Sequence, residues 1–164
     1  MTIIWTPIHL SGVFKATANR APAEVPVKGA YNRLDTARTV ARYGIPYERN
    51  PDFPINTLAL MRGAVSYQIA GDFEAYVKLI FEAMWVNPRK LDDEAVLRPV
   101  LDAGGFAWAD FTDRIGRPAV KQRLIDKTES AVARGVFGAP SFFVGDELFF
   151  GQDRLEWIEE MLAT

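Results

Sequence analysis

The sequence predicts an α/β domain with a large all-helical block in its middle, and three observations carry that prediction. Met1 leads directly into Thr2-Ile3-Ile4-Trp5-Thr6, an apolar, β-branched run closed by Pro7 that reads as a strand. Apolar residues at steps of three and four then dominate from Tyr31 to about Arg134. The period changes again at Ser141, where two short apolar runs flank Gly145-Asp146 before one last helical stretch. The predicted order is strand, loop, helix, helical block, helix, hairpin, helix, without repeats or an interdomain linker.

Leu10 to Ala30 lacks clear periodicity and is broken by Ser11, Gly12, Asn19, Pro22, Pro26 and Gly29, so a long loop is expected. A short helix near Val13-Phe14-Lys15-Ala16 fits inside it. Tyr31 to Tyr43 fits a helix stopped by Gly44 and Pro46. Asn56 to Ile69 fits a second, closed by Gly71. Asp72 is expected to cap a third, in which Phe73, Tyr76, Val77, Ile80, Phe81 and Met84 form a wide apolar stripe ended by Asn87-Pro88. Shorter helices follow over Asp93–Ala103 and Ala107–Ile115, and Pro118 opens another that runs to Arg134. Ser141–Val144 and Glu147–Phe150 are the hairpin strands. Asp153 is expected to cap the final helix, with Glu156 completing a capping box and Leu155, Ile158, Met161 and Leu162 on the buried face.

Composition narrows the chemistry. The 164 residues are 49% apolar and 24% charged with a net charge of −2, which fits one folded domain rather than a disordered chain. Charges of both signs are interspersed and no apolar run reaches membrane-spanning length, so neither nucleic acid nor membrane is an expected partner. No signal-peptide pattern is present, and a cytoplasmic location is expected. The absence of cysteine excludes disulfides, thiolate metal sites, cysteine nucleophiles and CxxC redox motifs together. With His9 the single histidine, no metal site is expected, and its spacing to Ser11 makes a poor catalytic dyad.

Four segments together are more specific than any composition. They are Leu10-Ser11-Gly12-Val13-Phe14-Lys15-Ala16-Thr17-Ala18-Asn19, Pro54-Ile55-Asn56-Thr57-Leu58, Val136-Phe137-Gly138-Ala139-Pro140-Ser141-Phe142-Phe143 and Phe150-Gly151-Gln152-Asp153-Arg154. In this order they resemble the 2-hydroxychromene-2-carboxylate isomerases, relatives of the kappa-class glutathione transferases, over essentially the whole chain. The resemblance implies one thioredoxin-like domain of the DsbA type, residues 1–164, with a helical insertion at about 51–134. It also implies a glutathione-dependent enzyme and a homodimer. The implied reaction isomerises a small aromatic substrate, a bicyclic hydroxychromene carboxylate, to an open-chain benzylidene pyruvate. Reversible thiolate addition to a conjugated carbonyl would make a locked double bond rotatable, and a chain without cysteine can borrow the thiol from glutathione.

The resemblance carries the glutathione contacts to Asn19, Lys28, Ala139, Pro140, Gln152 and Asp153. Asn19 would reach the tripeptide and Lys28 a carboxylate, while Ala139 would pair its main chain with the cysteinyl unit ahead of Pro140, where a cis bond is expected to be tolerated. Gln152 and Asp153 would hold the γ-glutamyl end. Phe53, Asn56 and Trp85 are the implied contacts of the aromatic substrate. Alone, each has a plainer explanation: a turn asparagine, a solvated lysine, a helix cap, a core tryptophan.

Family members also carry a first strand, a Ser-Pro-Tyr-Ser-like turn whose first serine faces the thiolate, and a first helix. This chain contains no counterpart, so the resemblance assigns it no catalytic residue and implies a chain inactive alone and marginal in folding. A kappa-type glutathione transferase and a non-catalytic glutathione- or peptide-binding module are the alternatives. A disulfide oxidoreductase is excluded by the missing cysteines.

Overall fold

Gly63 shows how the helical part of the chain is assembled. A Cβ at this position would fall on the Tyr76 ring and 2.8 Å from Cε2 of Phe111, so only glycine lets both rings lie against the helix backbone. The Tyr76 hydroxyl then donates to the Leu60 carbonyl at 2.9 Å, satisfying a buried phenol on a neighbouring helix.

The computed structural model describes residues 2–163. Among these are eight α-helices and one two-stranded antiparallel sheet: α1 Leu10–Thr17, α2 Pro26–Tyr43, α3 Leu58–Ala70, α4 Phe73–Trp85, α5 Glu94–Ala103, α6 Trp108–Gly116, α7 Pro118–Ala133, β1 Ser141–Val144, β2 Glu147–Phe150 and α8 Leu155–Leu162. Single 3-10 turns lie at Pro22–Glu24 and Gln152–Arg154. The backbone falls into two compact units, residues Ala21–Leu124 and residues 2–20 with 125–163.

In the Ala21–Leu124 unit, α3 is buried nearly all round and packs against α4 and α6. Its core gathers Leu60, Ala64, Tyr67, Tyr76, Met84, Leu91, Leu97, Leu101, Phe106 and Phe111. Tyr67, Tyr76, Phe106 and Phe111 meet at ring separations of 4.7–6.5 Å in tilted, edge-on and stacked arrangements, which the quadrupoles of such rings favour. Burial pushes the phenols of Tyr67 and Tyr76 up from the ordinary value of 10, and the Asp110 carboxylate adds to the shift at Tyr67. Ahead of α3, the fully buried Asn50 fastens a loop to the end of α4. Its Nδ2 donates to the carbonyls of Met84 at 3.2 Å and Arg89 at 2.9 Å, and its Oδ1 accepts from the Asp52 N–H at 2.9 Å.

In the other unit, His9 N–H donates to Thr128 Oγ1 at 3.0 Å, tying the start of α1 to α7, and Val13 is fully buried. The Arg134 guanidinium lies 3.6 Å over the Phe143 ring, joining the end of α7 to β1. The hairpin pairs Ser141 with Phe150, Phe142 with Phe149, Phe143 with Leu148 and Val144 with Glu147, turning at Gly145 with φ +59.

Several expectations change. No strand forms over residues 2–9, and Met1 lies outside the described residues. The sheet among these residues consists of β1 and β2 paired to one another, so Ile3, Ile4 and Trp5 have no ladder to join and stay 58%, 86% and 53% exposed. The short helix expected near Val13-Phe14-Lys15-Ala16 forms as the longer α1, with Ser11 in its first turn, while the rest of the expected loop to Ala30 gives way to the start of α2. Asp72 makes no side-chain cap, whereas Asp93 accepts from the Ala95 N–H at 2.9 Å. Met161 and Leu162, expected on a buried face of α8, are exposed together with Trp157.

Candidate functional site

The hairpin positions a short stretch of main chain at its mouth. Pro140 has no N–H to give and so precedes β1, where its carbonyl accepts from the Gly151 N–H at 3.0 Å and adds one bond beyond the last ladder pair. The Ala139–Pro140 peptide is cis. Ser141 Oγ donates to the Gly138 carbonyl at 2.8 Å, so the chain is fastened on both sides of Ala139. Ala139 itself is exposed, and neither its N–H nor its C=O is hydrogen-bonded among the described residues. A main chain held this way can pair with an extended ligand at little ordering cost.

Asn19 enters this arrangement from the other end of the sequence. Ala18 ends α1 in the left-handed region, and the Asn19 N–H returns to the Phe14 carbonyl at 3.1 Å. Its Nδ2 then donates to the Phe137 carbonyl at 2.9 Å, and its Oδ1 accepts from the Arg20 N–H at 2.8 Å. Asn19 thus ties α1 to the segment two residues before Ala139. One amide hydrogen and one lone pair remain for a ligand.

After β2, Gly151 turns the chain at φ +103 into the Gln152–Arg154 turn. Asp153 does not cap α8 as expected: its carboxylate accepts from Arg154 Nη1 at 2.6 Å, and the guanidinium also lies 5.2 Å over the Trp157 ring. The pair is exposed and carries a carboxylate already matched to a cation. Asn19, Ala139, Pro140, Gln152 and Asp153 therefore share one unit and are linked through Phe137, Gly151 and the hairpin.

The remaining expected residues belong to the Ala21–Leu124 unit. Lys28, exposed in the first turn of α2, borders a shallow depression with Pro22, Val27, Tyr31 and Asn32. Phe53 and Trp85 approach at 5.3 Å, and Tyr47, which sequence reasoning missed, stacks on Trp85 at 5.9 Å and 19°. The Glu48 N–H, bonded to the Trp85 carbonyl at 2.7 Å, holds that stack. Asn56 uses its Oδ1 to accept the Leu58 N–H at 3.0 Å and so caps the approach to α3. Also missed were Phe137 and Phe150, which meet at 4.5 Å beside Ala139. Their flanking of the Gly138–Ala139–Pro140 and Gly151-Gln152 motifs is the signal that pointed to them.

Comparison with known proteins matches this arrangement to a domain type and to named enzymes. Residues 1–163 match the model of the DSBA-like thioredoxin domain. The 2-hydroxychromene-2-carboxylate isomerase of Pseudomonas putida is 30% identical over 99% of this chain and 80% of its own length. The chain belongs to the DSBA-like thioredoxin family and, within it, to the 2-hydroxychromene-2-carboxylate isomerases. A solved structure of such an isomerase superposes with a TM-score of 0.86 at 29% identity, covering 99% of this chain and 80% of the other. Kappa glutathione transferases are more distant, the rat protein being 23% identical over 96% of this chain and 76% of its own. Among the described residues, no helix is long and apolar enough to cross a membrane.

Proposed function

We propose that this chain serves a glutathione-dependent isomerisation of 2-hydroxychromene-2-carboxylate-like compounds to open-chain benzylidene pyruvates, working as a cytoplasmic homodimer. The reaction class rests on its relation to the named isomerases, which exceeds that to the kappa transferases. The cofactor reading rests on one observation: Ala139 offers an exposed, unpaired N–H and C=O at a rigidly fastened point. The residues around it fit a tripeptide with a charged end.

In this reading Ala139 pairs with the cysteinyl main chain, and Pro140, unable to donate, keeps the edge from extending the ladder. Asn19 offers its remaining amide hydrogen alongside. Gln152 and Asp153 hold the γ-glutamyl end, and a ligand ammonium at Asp153 competes with the Arg154 guanidinium already there. Bound glutathione supplies a thiol for reversible addition to the conjugated carbonyl, a group this cysteine-free chain does not possess.

Calorimetric titration with glutathione tests the reading first; ultraviolet-monitored conversion of a hydroxychromene carboxylate, with and without glutathione, by a chain joined to the family's first strand, Ser-Pro turn and first helix tests it second, this chain alone being expected to be inactive. Saturable binding that weakens about tenfold in Asp153→Asn, the worth of one charge-assisted contact, is expected. No binding, or conversion that proceeds equally without glutathione, overturns it. Accumulation of a stable thioether with a generic electrophile would favour the transferase instead.

A further inference from the structure

Helix α2 turns one face inward and leaves an apolar one bare. On the inward side Gly29 is buried against Pro22 and Ala23, and Thr36, Thr39 and Val40 are half-buried. On the other side Val27, Tyr31 and Leu34 are 77%, 62% and 60% exposed. Ala30, Ala37 and Ala41 extend that stripe, so that positions 27, 30, 34, 37 and 41 follow one another at steps of three and four. This is the spacing that lays one helix along another. Single exposed apolar residues need no explanation, but a stripe running about four turns does.

Charge decides what kind of helix fits. α2 carries Lys28, Arg33, Arg38 and Arg42 against the single Asp35, in a chain whose net charge is −2, so a second α2 would be repelled. α8 has the opposite character. It carries Glu156, Glu159 and Glu160 with no lysine or arginine, and its Trp157 and Met161, one turn apart, are 60% and 38% exposed even with the Arg154 guanidinium over the tryptophan ring. The charged flanks match in spacing as well as in sign. Arg38 and Arg42 line one edge of the α2 stripe one turn apart, and Glu156 and Glu160 line one edge of the Trp157–Met161 stripe at the same separation, all four exposed. When two helices lie parallel, opposite edges of their stripes meet, and these are opposite edges.

We infer that the exposed stripe of α2 is a docking surface for the acidic α8 of a second copy of this chain. The inference rests on the homodimer part of the reading above, not on its chemistry, and deepens it by naming the surface. A two-fold axis makes the contact twice. The 8 residues of α8 span only about 12 Å, so both contacts together hide less than the ~800 Å² a side of a standard interface, and the dimer is a weak one.

The test is sedimentation of the full 164-residue chain over a range of concentrations and salt. A monomer–dimer equilibrium with a dissociation constant on the order of 10 μM is expected, weakening about tenfold from low to high salt as the facing charges are screened. Arg38→Glu with Arg42→Glu in one chain, and Glu156→Arg with Glu160→Arg in another, set like charges face to face. Each pair is expected to weaken self-association about tenfold or more. Mixed in equal amounts, the two reversed chains carry opposite charges at both contacts and are expected to pair again at about the original affinity, a recovery that no folding defect produces. A chain that stays monomeric at about ten times that dissociation constant overturns this inference together with the homodimer reading. A dimer indifferent to both reversals, or reversed chains that stay apart when mixed, overturns the surface alone. Calorimetry with glutathione decides the isomerase reading separately, because none of these four residues belongs to the candidate site.

Discussion

Two groups of aromatic side chains, one in each unit, are used in opposite ways. Between Ala21 and Leu124, Tyr67, Tyr76, Phe106 and Phe111 are buried against one another, with glycine at position 63 to admit the rings. In the unit built from residues 2–20 and 125–163, Phe137 and Phe150 are 40% and Trp157 60% exposed, and the polar edge at Ala139 is unpaired among the described residues. The first arrangement spends its rings on cohesion. The second keeps apolar and polar capacity in reserve for a ligand, as expected of a region whose surface is functional.

The sharpest way to break this contrast is to delete one ring from each side. Phe111→Ala removes a ring that is 1% exposed and is expected to cost about 3–5 kcal/mol in urea unfolding. Phe150→Ala, taken from the 40% exposed pair, is expected to cost less than about 1.5 kcal/mol. Comparable losses would show that the second unit leans on its rings as the first does.

A pH titration sharpens the same point. In the unfolded chain tyrosines ionise near 10, whereas buried Tyr76 stays neutral to a higher pH. Above pH 10 the unfolded state therefore releases a proton that the folded state keeps, so stability is full below that pH and falls as pH rises. The loss is about 1.4 kcal/mol per pH unit for this group, and Tyr76→Phe should flatten the slope in alkaline urea melts. A slope unchanged by Tyr76→Phe would place the alkaline sensitivity elsewhere.

The smallest effect separates two aspartates that look alike in sequence. Asp93→Ala loses a real helix cap and should cost about 1 kcal/mol. Asp153→Ala loses only an exposed pair with Arg154 and should lie within about 0.5 kcal/mol of zero in the same unfolding measurement. Equal costs would mean that Asp153 supports α8 after all.

That pair also explains what could be read from sequence alone. The hairpin strands were legible to the residue, because two short apolar runs around a Gly-Asp turn leave few registers, and α3 to α7 were legible to within two residues from apolar period and glycine stops. The opening strand was not, because β-branched composition describes a willingness to pair and says nothing about whether a ladder is there. α1 and α2 are preceded by His9 and Val25, neither of which makes a side-chain cap, so the usual start signal is missing. At Asp153 the capping-box spacing was present, but the neighbouring guanidinium took the carboxylate. In the candidate site the motif residues were legible one by one. The bond from Asn19 to Phe137 spans 118 positions, and no spacing rule reaches that far.

Asn50 holds a different kind of lesson, one about substitution. Its buried carboxamide gives hydrogens to two carbonyls at one end and receives one from Asp52 at the other. Aspartate is the same size but would turn a third oxygen toward those two, and leucine would take the bond from all three partners, leaving the buried Met84 carbonyl without it. Among the twenty side chains, only one of this length both lends and borrows in that pattern, so anyone grafting or shortening the loop before α3 must treat this position as immovable.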